Sequence, residues 1–394
     1  MKSDILFMFE LIASAVTDSD APAQPENIDW GNIYRFSAHN SVANIVAHAI
    51  IKGNYLIPDD IRSIFMKRFY ERVAVSENQN KEIKNILKLF EANGIEHMPM
   101  KGIILNDLYH SKDMRYMADA DILIRNEQYD KINKLMLEAG YHQEEEGPIE
   151  YNYKKPPFMH IELHKYPVAL SSEDLFEYYG DGWKFAKKTD IPYRYDFSVE
   201  DHFFYVFTHF ARHYRDAGAG LKSVIDIWLY IRKYPQMDWE YIREQARMLG
   251  MEEFLEKLIK LAKTWFEHEP FDEVTADMTL FILNSGTFGT VKNKMSASSI
   301  RDSKKLEDAG KFRYLRFAFP PYRKMKGIFP VLEKLPFLLP VFWVYRVIRF
   351  VLFRRSDFEK HKQLVENVDA ESVNKYSQHM KSVGLDMYNG RKNK

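Results

Sequence analysis

The sequence predicts an α+β fold, in which a small mixed sheet flanked by helices lies between helical N-terminal and C-terminal regions. Apolar residues recur at helical spacing in residues 1–94 and again beyond residue 199, whereas residues 95–170 contain short strand-like segments separated by helices. The composition supports packed cores, because 46% of the 394 residues are hydrophobic and 15% are aromatic.

Composition and charge exclude several classes of protein. The chain contains no cysteine, which excludes disulfide scaffolds, thiolate zinc sites, iron–sulfur clusters and cysteine nucleophiles. Its 56 basic and 56 acidic residues give a formal charge of zero, which argues against a protein whose whole surface binds nucleic acid. The N-terminal residues lack the basic start and the small-residue cleavage site of a signal peptide, so we expect a cytoplasmic protein.

Residues 1–94 are predicted to form a helical N-terminal region. Apolar residues between Ile5 and Val16 recur at helical spacing and predict a first helix, and further helices are predicted at about residues 30–51 and 58–90. The pair Asn93-Gly94 is typical of the left-handed turn that ends a helix. The sheet is therefore expected to begin after this pair.

Residues 95–170 are predicted to form the core that contains the sheet. Short apolar or alternating segments predict strands at 95–100, 118–125 and 160–164, and amphipathic segments predict helices at 102–109 and 128–139. Residues 171–310 are predicted to form a helical domain, with its clearest helices at 201–214 and 221–234.

Residues 311–394 are predicted to be a basic, aromatic C-terminal segment and tail. Residues 311–355 contain eleven basic residues and one acidic residue, a net charge of +10, so the rest of the neutral chain carries about −10. Residues 335–353 are almost entirely apolar, but Arg346, Arg349 and two prolines argue against a helix that spans a membrane. Two interpretations stay open: peripheral contact with a membrane surface, or a helix packed on the protein's own core with its basic residues facing solvent.

The strongest chemical feature is the pair Asp119 and Asp121, at the start of the predicted strand ADADILIR. Residues i and i+2 of a strand point to the same side, so both carboxylates are expected on one face. Two close carboxylates repel each other unless a cation bridges them, and Mg²⁺ prefers such oxygen ligands. Glu162, in the predicted strand HIELH, is expected to add a third carboxylate. The alternatives are a solvated strand cap for the aspartates and an ordinary strand residue for Glu162.

Basic residues and a glycine lie close to these acids in the sequence. Lys101 and Gly102 precede a predicted helix, where a glycine allows the backbone to approach a phosphate. Lys101 and Arg115 add positive charges that suit a polyphosphate, although both could be ordinary surface cations. His160 and His164 share the face of Glu162 by the period-two rule. Together these residues are typical of a two-metal phosphoryl-transfer site.

The segments that carry these residues, MKGIILNDLYHSKDMRYMADADILIR and HIELH, resemble a known family. They are similar to the uncharacterised nucleotidyltransferase-like family of the DNA polymerase beta superfamily. The resemblance continues through VEDHFFYVFTHFARHYRD, the NSGTFGT turn and LPFLLPVFWVYRVIR, and it covers about residues 30–355.

The resemblance implies a minimal nucleotidyltransferase fold with a magnesium-dependent active site. It implies that the catalytic metal ligands, for Mg²⁺ or Mn²⁺, are Asp119, Asp121 and Glu162. The residues expected to bind the nucleotide are Lys101, Gly102, Arg115 and His164, from the positions described above, and His209, from the resemblance. The expected reaction transfers a nucleotidyl group from a nucleoside triphosphate to a hydroxyl of an unknown acceptor (protein, RNA, sugar or small molecule) and releases pyrophosphate. Helix packing is the alternative role for His209.

One departure from the wider superfamily leaves a second function open. The phosphate turn there usually reads Gly-Ser, whereas this chain has Lys101-Gly102 followed by Ile103, so the serine hydroxyl that would touch phosphate is missing. The alternative is a catalytically degenerate nucleotide-binding module that associates with membrane surfaces through residues 335–353. A sugar-nucleotide glycosyltransferase using Asp-x-Asp is a third possibility, but it needs a larger sheet than residues 95–170 can easily provide.

Overall fold

The computed structural model describes residues 2–144, 146–287, 289–301, 331–353 and 370–385, together with Phe319, Tyr322, Met325 and Phe329. The chain forms two compact units. The first unit contains Met1–Arg212 and Ala219–Phe288, and the second contains His213–Gly218 and Gly289–Lys394.

The first unit begins with helices, as the sequence predicts. They are α1 (Ser3–Thr17), α2 (Trp30–His39), α3 (Ala43–Lys52) and α4 (Asp59–Ala92). The helical region predicted at about residues 30–51 is present, and it consists of two helices, α2 and α3. Asn40 hydrogen-bonds back to the Phe36 carbonyl, and Ser41 adopts a positive φ of 56°, a conformation that ends a helix.

A mixed five-stranded sheet follows and confirms the predicted α+β class. Its strands are β1 (His97–Pro99), β2 (Ala120–Ile124), β3 (His142–Gln143), β4 (Glu150–Lys155) and β5 (Met159–His164). Their spatial order is β1-β2-β5-β4-β3, in which β2 and β5 run parallel and the other neighbouring pairs run antiparallel. The two parallel strands at the centre carry the acidic residues singled out in the sequence.

The sheet buries one face in an apolar core. The short helix α5 (Gly102–Leu105) follows β1, and α6 (Tyr129–Glu138) follows β2. Alternate residues of β2 and β5, including Ile122 and Leu163, pack with α4 and α6 in one buried cluster. Since side chains alternate along a strand, the residues between them project from the opposite face of the sheet.

The remaining helices of the first unit follow the sheet. They are α7 (Glu173–Tyr179), α8 (Val199–Asp216, which continues into the second unit), α9 (Leu221–Lys233), α10 (Trp239–Met248), α11 (Glu252–Phe266) and α12 (Glu273–Ser285). A two-stranded sheet, β6 (Lys187–Lys188) and β7 (Tyr195–Asp196), lies between α7 and α8. The helices predicted near residues 201–214 and 221–234 correspond to α8 and α9.

Among its described residues, the second unit is helical. Its helices are α13 (Val291–Arg301), α14 (Val331–Lys334), α15 (Leu339–Phe353) and α16 (Ala370–Ser382). Within this unit the Tyr214 hydroxyl and the His379 Nε2 atom are 2.8 Å apart. All six basic residues of 311–326, and the two at 354 and 355, lie outside the described residues.

The apolar stretch 335–353 has an unusual exposure pattern. Val341, Val344 and Ile348 on α15 are each at least half exposed, and Phe337 in the preceding turn is 72% exposed. Arg346 is half-buried, and burial lowers the pKa of its guanidinium. The Arg349 side chain lies outside the described residues, and both interpretations of this stretch stay predictions. No helix within the described ranges is both long enough and apolar enough to span a bilayer.

Candidate active site

The structure brings the three predicted acidic residues to one face of the sheet. In the parallel pair β2–β5, Asp121 lies directly opposite Glu162. Their neighbours Ala120, Ile122 and Leu163 belong to the buried cluster on the other face, so both carboxylates point away from that core. Asp119 lies one residue before β2, two positions from Asp121 and therefore on the same side.

Ligand-type atoms converge in two overlapping groups on this face. One group consists of Asp119, His160 and Glu162, and the other of Asp121, Glu162 and His164. Within each group, one ligating atom from every residue lies within 4.8 Å of the other two. Both groups contain Glu162, so the geometry matches the expected convergence of β2 and β5.

Asp121 is buried and already holds two basic partners. Its Oδ1 atom accepts a hydrogen bond from the Lys101 ammonium at 2.6 Å and lies 2.8 Å from the His164 Nε2 atom. Burial alone would raise the pKa of Asp121, but Lys101 and His164 outweigh burial and hold that pKa well below its usual range. Asp121 is therefore ionised and charge-compensated inside the protein.

Lys101 reaches Asp121 from a strained backbone conformation. Its φ is 42° and its ψ is −114°, a region that glycine adopts far more readily than residues with a side chain. Burial works against the charge of Lys101, but the Asp121 carboxylate overcomes it and raises the pKa of the amine. Lys101 is thus a mostly buried ion-pair partner, and the surface-cation alternative does not describe it.

Asp119 is the least compensated acid of the site. Among the described residues, no hydrogen bond or ion pair reaches its carboxylate. Burial raises the pKa of Asp119, and the neighbouring Asp121 and Glu162 carboxylates raise it further. An added cation would relieve this repulsion, so the residues present fit a divalent metal ion.

Gly102 and Arg115 pack against each other. A Cβ atom at Gly102 would lie only 2.9 Å from the Arg115 Nη1 atom, so the position has no room for a larger residue. Arg115 is buried, and its fork donates to Asp226 through Nε at 2.8 Å and Nη2 at 3.0 Å. The Tyr109 hydroxyl donates to the same carboxylate at 2.8 Å. Arg115 is therefore not a surface cation, and its role in phosphate binding stays a prediction.

This buried ion pair leads to a stability prediction. Asp226→Leu should lower the free energy of unfolding by about 3 kcal/mol, because it leaves the Arg115 guanidinium buried without its counter-charge. Urea denaturation monitored by circular dichroism measures the change. In the double variant Arg115→Met/Asp226→Leu most of the loss should be recovered. Additive losses in the double variant would contradict a coupled pair.

Lys222 is a candidate site residue that sequence reasoning missed. It lies on α9, and its ammonium donates to the Tyr116 carbonyl at 3.0 Å. Burial, helped by the Arg115 charge, lowers the pKa of Lys222 to about 8, although nearby aspartate carboxylates act in the opposite direction. In the sequence Lys222 resembles any polar residue of an amphipathic helix, and no local pattern connects it to acids a hundred positions earlier.

The predicted histidines differ in their placement. His164 contacts both Asp121 and Glu162, at 2.8 and 3.3 Å from its Nε2 atom. His209 lies on α8, with its ring centroid 6.4 Å from that of Tyr205, and belongs to neither group of ligating atoms. His160, which the sequence placed only on the shared face, is a member of the first group.

Comparison with known proteins gives one family. No curated protein and no solved structure matches the chain significantly. The model of a family described as uncharacterised nucleotidyltransferase matches residues 26–267, which include the sheet, all three acids and helices α8 and α9. The NSGTFGT turn and residues 335–353 lie beyond this match. Because the match covers more than half of the chain, the protein belongs to the uncharacterised nucleotidyltransferase family.

Proposed function

We propose that this protein transfers a nucleotidyl group from a nucleoside triphosphate to an acceptor hydroxyl, with Mg²⁺ or Mn²⁺ as cofactor. The observation that carries the proposal is the convergence of Asp119, Asp121 and Glu162 on one face of a sheet in a nucleotidyltransferase family member. In the reaction the acceptor oxygen bonds to the α-phosphorus, the bond between the α-phosphorus and its bridging oxygen breaks, and pyrophosphate leaves.

The acids and the cations of the site have separate roles in this proposal. Asp119, Asp121 and Glu162 would hold the metal, which when bound neutralises phosphate oxygens and lowers the pKa of the acceptor hydroxyl. Lys101 would neutralise charge on the triphosphate once a bound metal takes over the compensation of Asp121, its present partner at 2.6 Å. Lys222 adds a second positive charge from α9.

The role of Lys222 predicts a specific pH dependence. Its pKa is lowered to about 8, so the amine is charged below that pH and loses its charge as the pH rises through it. Affinity for the triphosphate should therefore fall above pH 8. Lys222→Met should weaken binding at pH 7 about tenfold or more, the size of a charged hydrogen bond, and should remove this pH dependence.

Titration of the protein with a fluorescent nucleoside triphosphate at pH 6.5 to 9.5, roughly centred on the Lys222 pKa, measures this effect. Lys233→Met is the matched control, because Lys233 is an exposed lysine at the end of the same helix. Unchanged affinity in Lys222→Met would exclude Lys222 from the nucleotide site.

The proposed reaction is tested with α-phosphate-labelled nucleoside triphosphates, Mg²⁺ and cell extract as a source of acceptors. The full chain should transfer label to a product, and Asp121→Asn should not. Asp130→Asn, an exposed aspartate on α6, serves as the control and should retain transfer. Label that is absent with every nucleotide, or that is unaffected by Asp121→Asn, would defeat the proposal.

A second candidate function is association with membrane surfaces, which a catalytically degenerate nucleotide-binding module would also show. The observation that favours it is the exposed apolar row of Phe337, Val341, Val344 and Ile348, within a stretch of net positive charge. Flotation with vesicles containing phosphatidylserine tests it. Val344→Asp/Ile348→Asp should reduce flotation, and absence of binding by the unmodified chain would defeat this candidate. Nucleotide binding without turnover would favour the module over the enzyme.

A further inference from the structure

The two groups of ligating atoms differ in what they already bind. In the group of Asp121, Glu162 and His164, the Asp121 Oδ1 atom contacts both the Lys101 ammonium and the His164 ring. The other ring nitrogen of His164 lies 3.3 Å from the Tyr166 carbonyl. A cation that enters this group must therefore displace an existing ion-pair partner.

The group of Asp119, His160 and Glu162 is open by comparison. Within the described parts of the chain, neither the Asp119 carboxylate nor the His160 ring has a hydrogen-bond partner. The His160 Nε2 atom is shielded from solvent and unpaired, which is an unusual state for a buried polar atom. One ring nitrogen lies within 4.8 Å of both carboxylates, so a small inward shift would bring all three ligands onto one ion.

We propose that Asp119, His160 and Glu162 form the first metal position of this protein, and that the His160 imidazole makes this position prefer a divalent first-row transition metal to Mg²⁺. The use of this metal in nucleotidyl transfer rests on the proposed function. The identity of the ligands and the metal preference do not depend on it. His160 is then the residue that sets metal specificity.

The metal preference follows from ligand chemistry. Mg²⁺ is a hard ion that binds oxygen ligands and keeps several waters, and it gains little from an imidazole. First-row transition metals bind imidazole nitrogen well, and mixed sites of histidine and carboxylate are typical of them. A carboxylate at position 160 would give an all-oxygen site, whereas the histidine biases the position toward nitrogen-binding metals.

Electron paramagnetic resonance with MnCl₂ added to the metal-free full-length protein tests the proposal without any turnover. Pulsed measurements detect the ¹⁴N nucleus of a coordinated imidazole directly. The unmodified protein should show ¹⁴N coupling, and His160→Asn should lose it. His160→Asn should also lower Mn²⁺ affinity at least about tenfold, while Mg²⁺ affinity changes much less.

Two variants serve as controls for this measurement. His142→Asn, at an exposed position of β3, should retain both the coupling and the Mn²⁺ affinity. Circular dichroism establishes that each variant is folded, and His160→Asp should keep metal binding while shifting preference toward Mg²⁺. This second His160 variant keeps the proposal testable if His160→Asn folds poorly.

The proposal is overturned if bound Mn²⁺ shows no ¹⁴N coupling in the unmodified protein. It is equally overturned if the coupling persists in His160→Asn and disappears in His164→Asn, because the nitrogen ligand would then belong to the other group. A protein that shows His160-dependent coupling but transfers no label overturns the proposed function and leaves this metal assignment intact.

Discussion

Asp121→Asn should abolish nucleotidyl transfer and also lower the free energy of unfolding by about 3 kcal/mol at pH 7. Asparagine has the size of aspartate, so it leaves no cavity, but it removes the only negative charge that the structure shows 2.6 Å from the Lys101 ammonium. His164 loses its 2.8 Å partner at the same time. Two buried basic groups would then remain with weakened charge compensation. Removing one partner of a buried ion pair in this way destabilises a protein more than replacing both partners.

Chemical denaturation across a pH series checks this prediction. The pKa of Asp121 is lowered in the folded protein, so its stabilising contribution is present above the ordinary aspartate range and is lost as the pH falls through the folded value. The difference in the free energy of unfolding between the unmodified protein and Asp121→Asn should therefore shrink at strongly acidic pH. Lys101→Met should make Asp121→Asn less costly, because the pair is already broken. An Asp121→Asn protein of unchanged stability would show that the buried pair is not formed.

Asp119→Asn should have the opposite effect on stability while also removing activity. We expect transfer to fall at least about a hundredfold, because the metal ion that would stabilise the transition state loses one of its carboxylate ligands. Without metal, the variant should be more stable than the unmodified protein by about 1 kcal/mol, since Asp119 is crowded by two other carboxylates and receives no hydrogen bond or ion pair from any described residue. The same removal of one carboxylate thus stabilises or destabilises depending on its neighbours.

The gain in the free energy of unfolding of Asp119→Asn should depend on pH, and the direction of this dependence distinguishes charge repulsion from a gain that is the same at every pH. The pKa of Asp119 is raised in the folded protein, so the folded form holds the proton at pH values where the unfolded chain has lost it. The cost of an ionised Asp119 therefore appears as the pH rises and vanishes in acid. Thermal unfolding with EDTA should show the gain at neutral pH, and added Mn²⁺ should stabilise the unmodified protein more than the variant. A destabilised variant without metal would contradict this account.

Much of the fold could be predicted from the sequence because its periodic patterns are local. The acid–apolar alternation of ADADILIR gives β2 and the direction of its carboxylates, and HIELH gives β5 in the same way. β4 was not predicted, because the alternation of Tyr151 and Tyr153 with polar residues is weak in isolation. It becomes a strand by pairing with β5 and burying both tyrosines.

The partners of the site residues could not be predicted, since they depend on contacts between distant segments. From the sequence, Arg115 was expected to be a cation available to phosphate, but its guanidinium donates two hydrogen bonds to Asp226 on α9. Lys222 lies on the same helix and donates to the Tyr116 carbonyl, and no local sequence motif indicates this contact. The period-two rule placed Asp119 and Asp121 on one face, but it carried no information about the Lys101 ion pair that compensates Asp121.

A crystal structure of the protein with Mn²⁺ and a non-hydrolysable nucleoside triphosphate would locate the metal and the nucleotide together. We expect Mn²⁺ bound by the carboxylates of Asp119, Asp121 and Glu162 and by the His160 imidazole, with the triphosphate beside Lys101 and Lys222. Nucleotide bound elsewhere, with the Lys101–Asp121 pair closed and no metal at the three acids, would contradict this expectation.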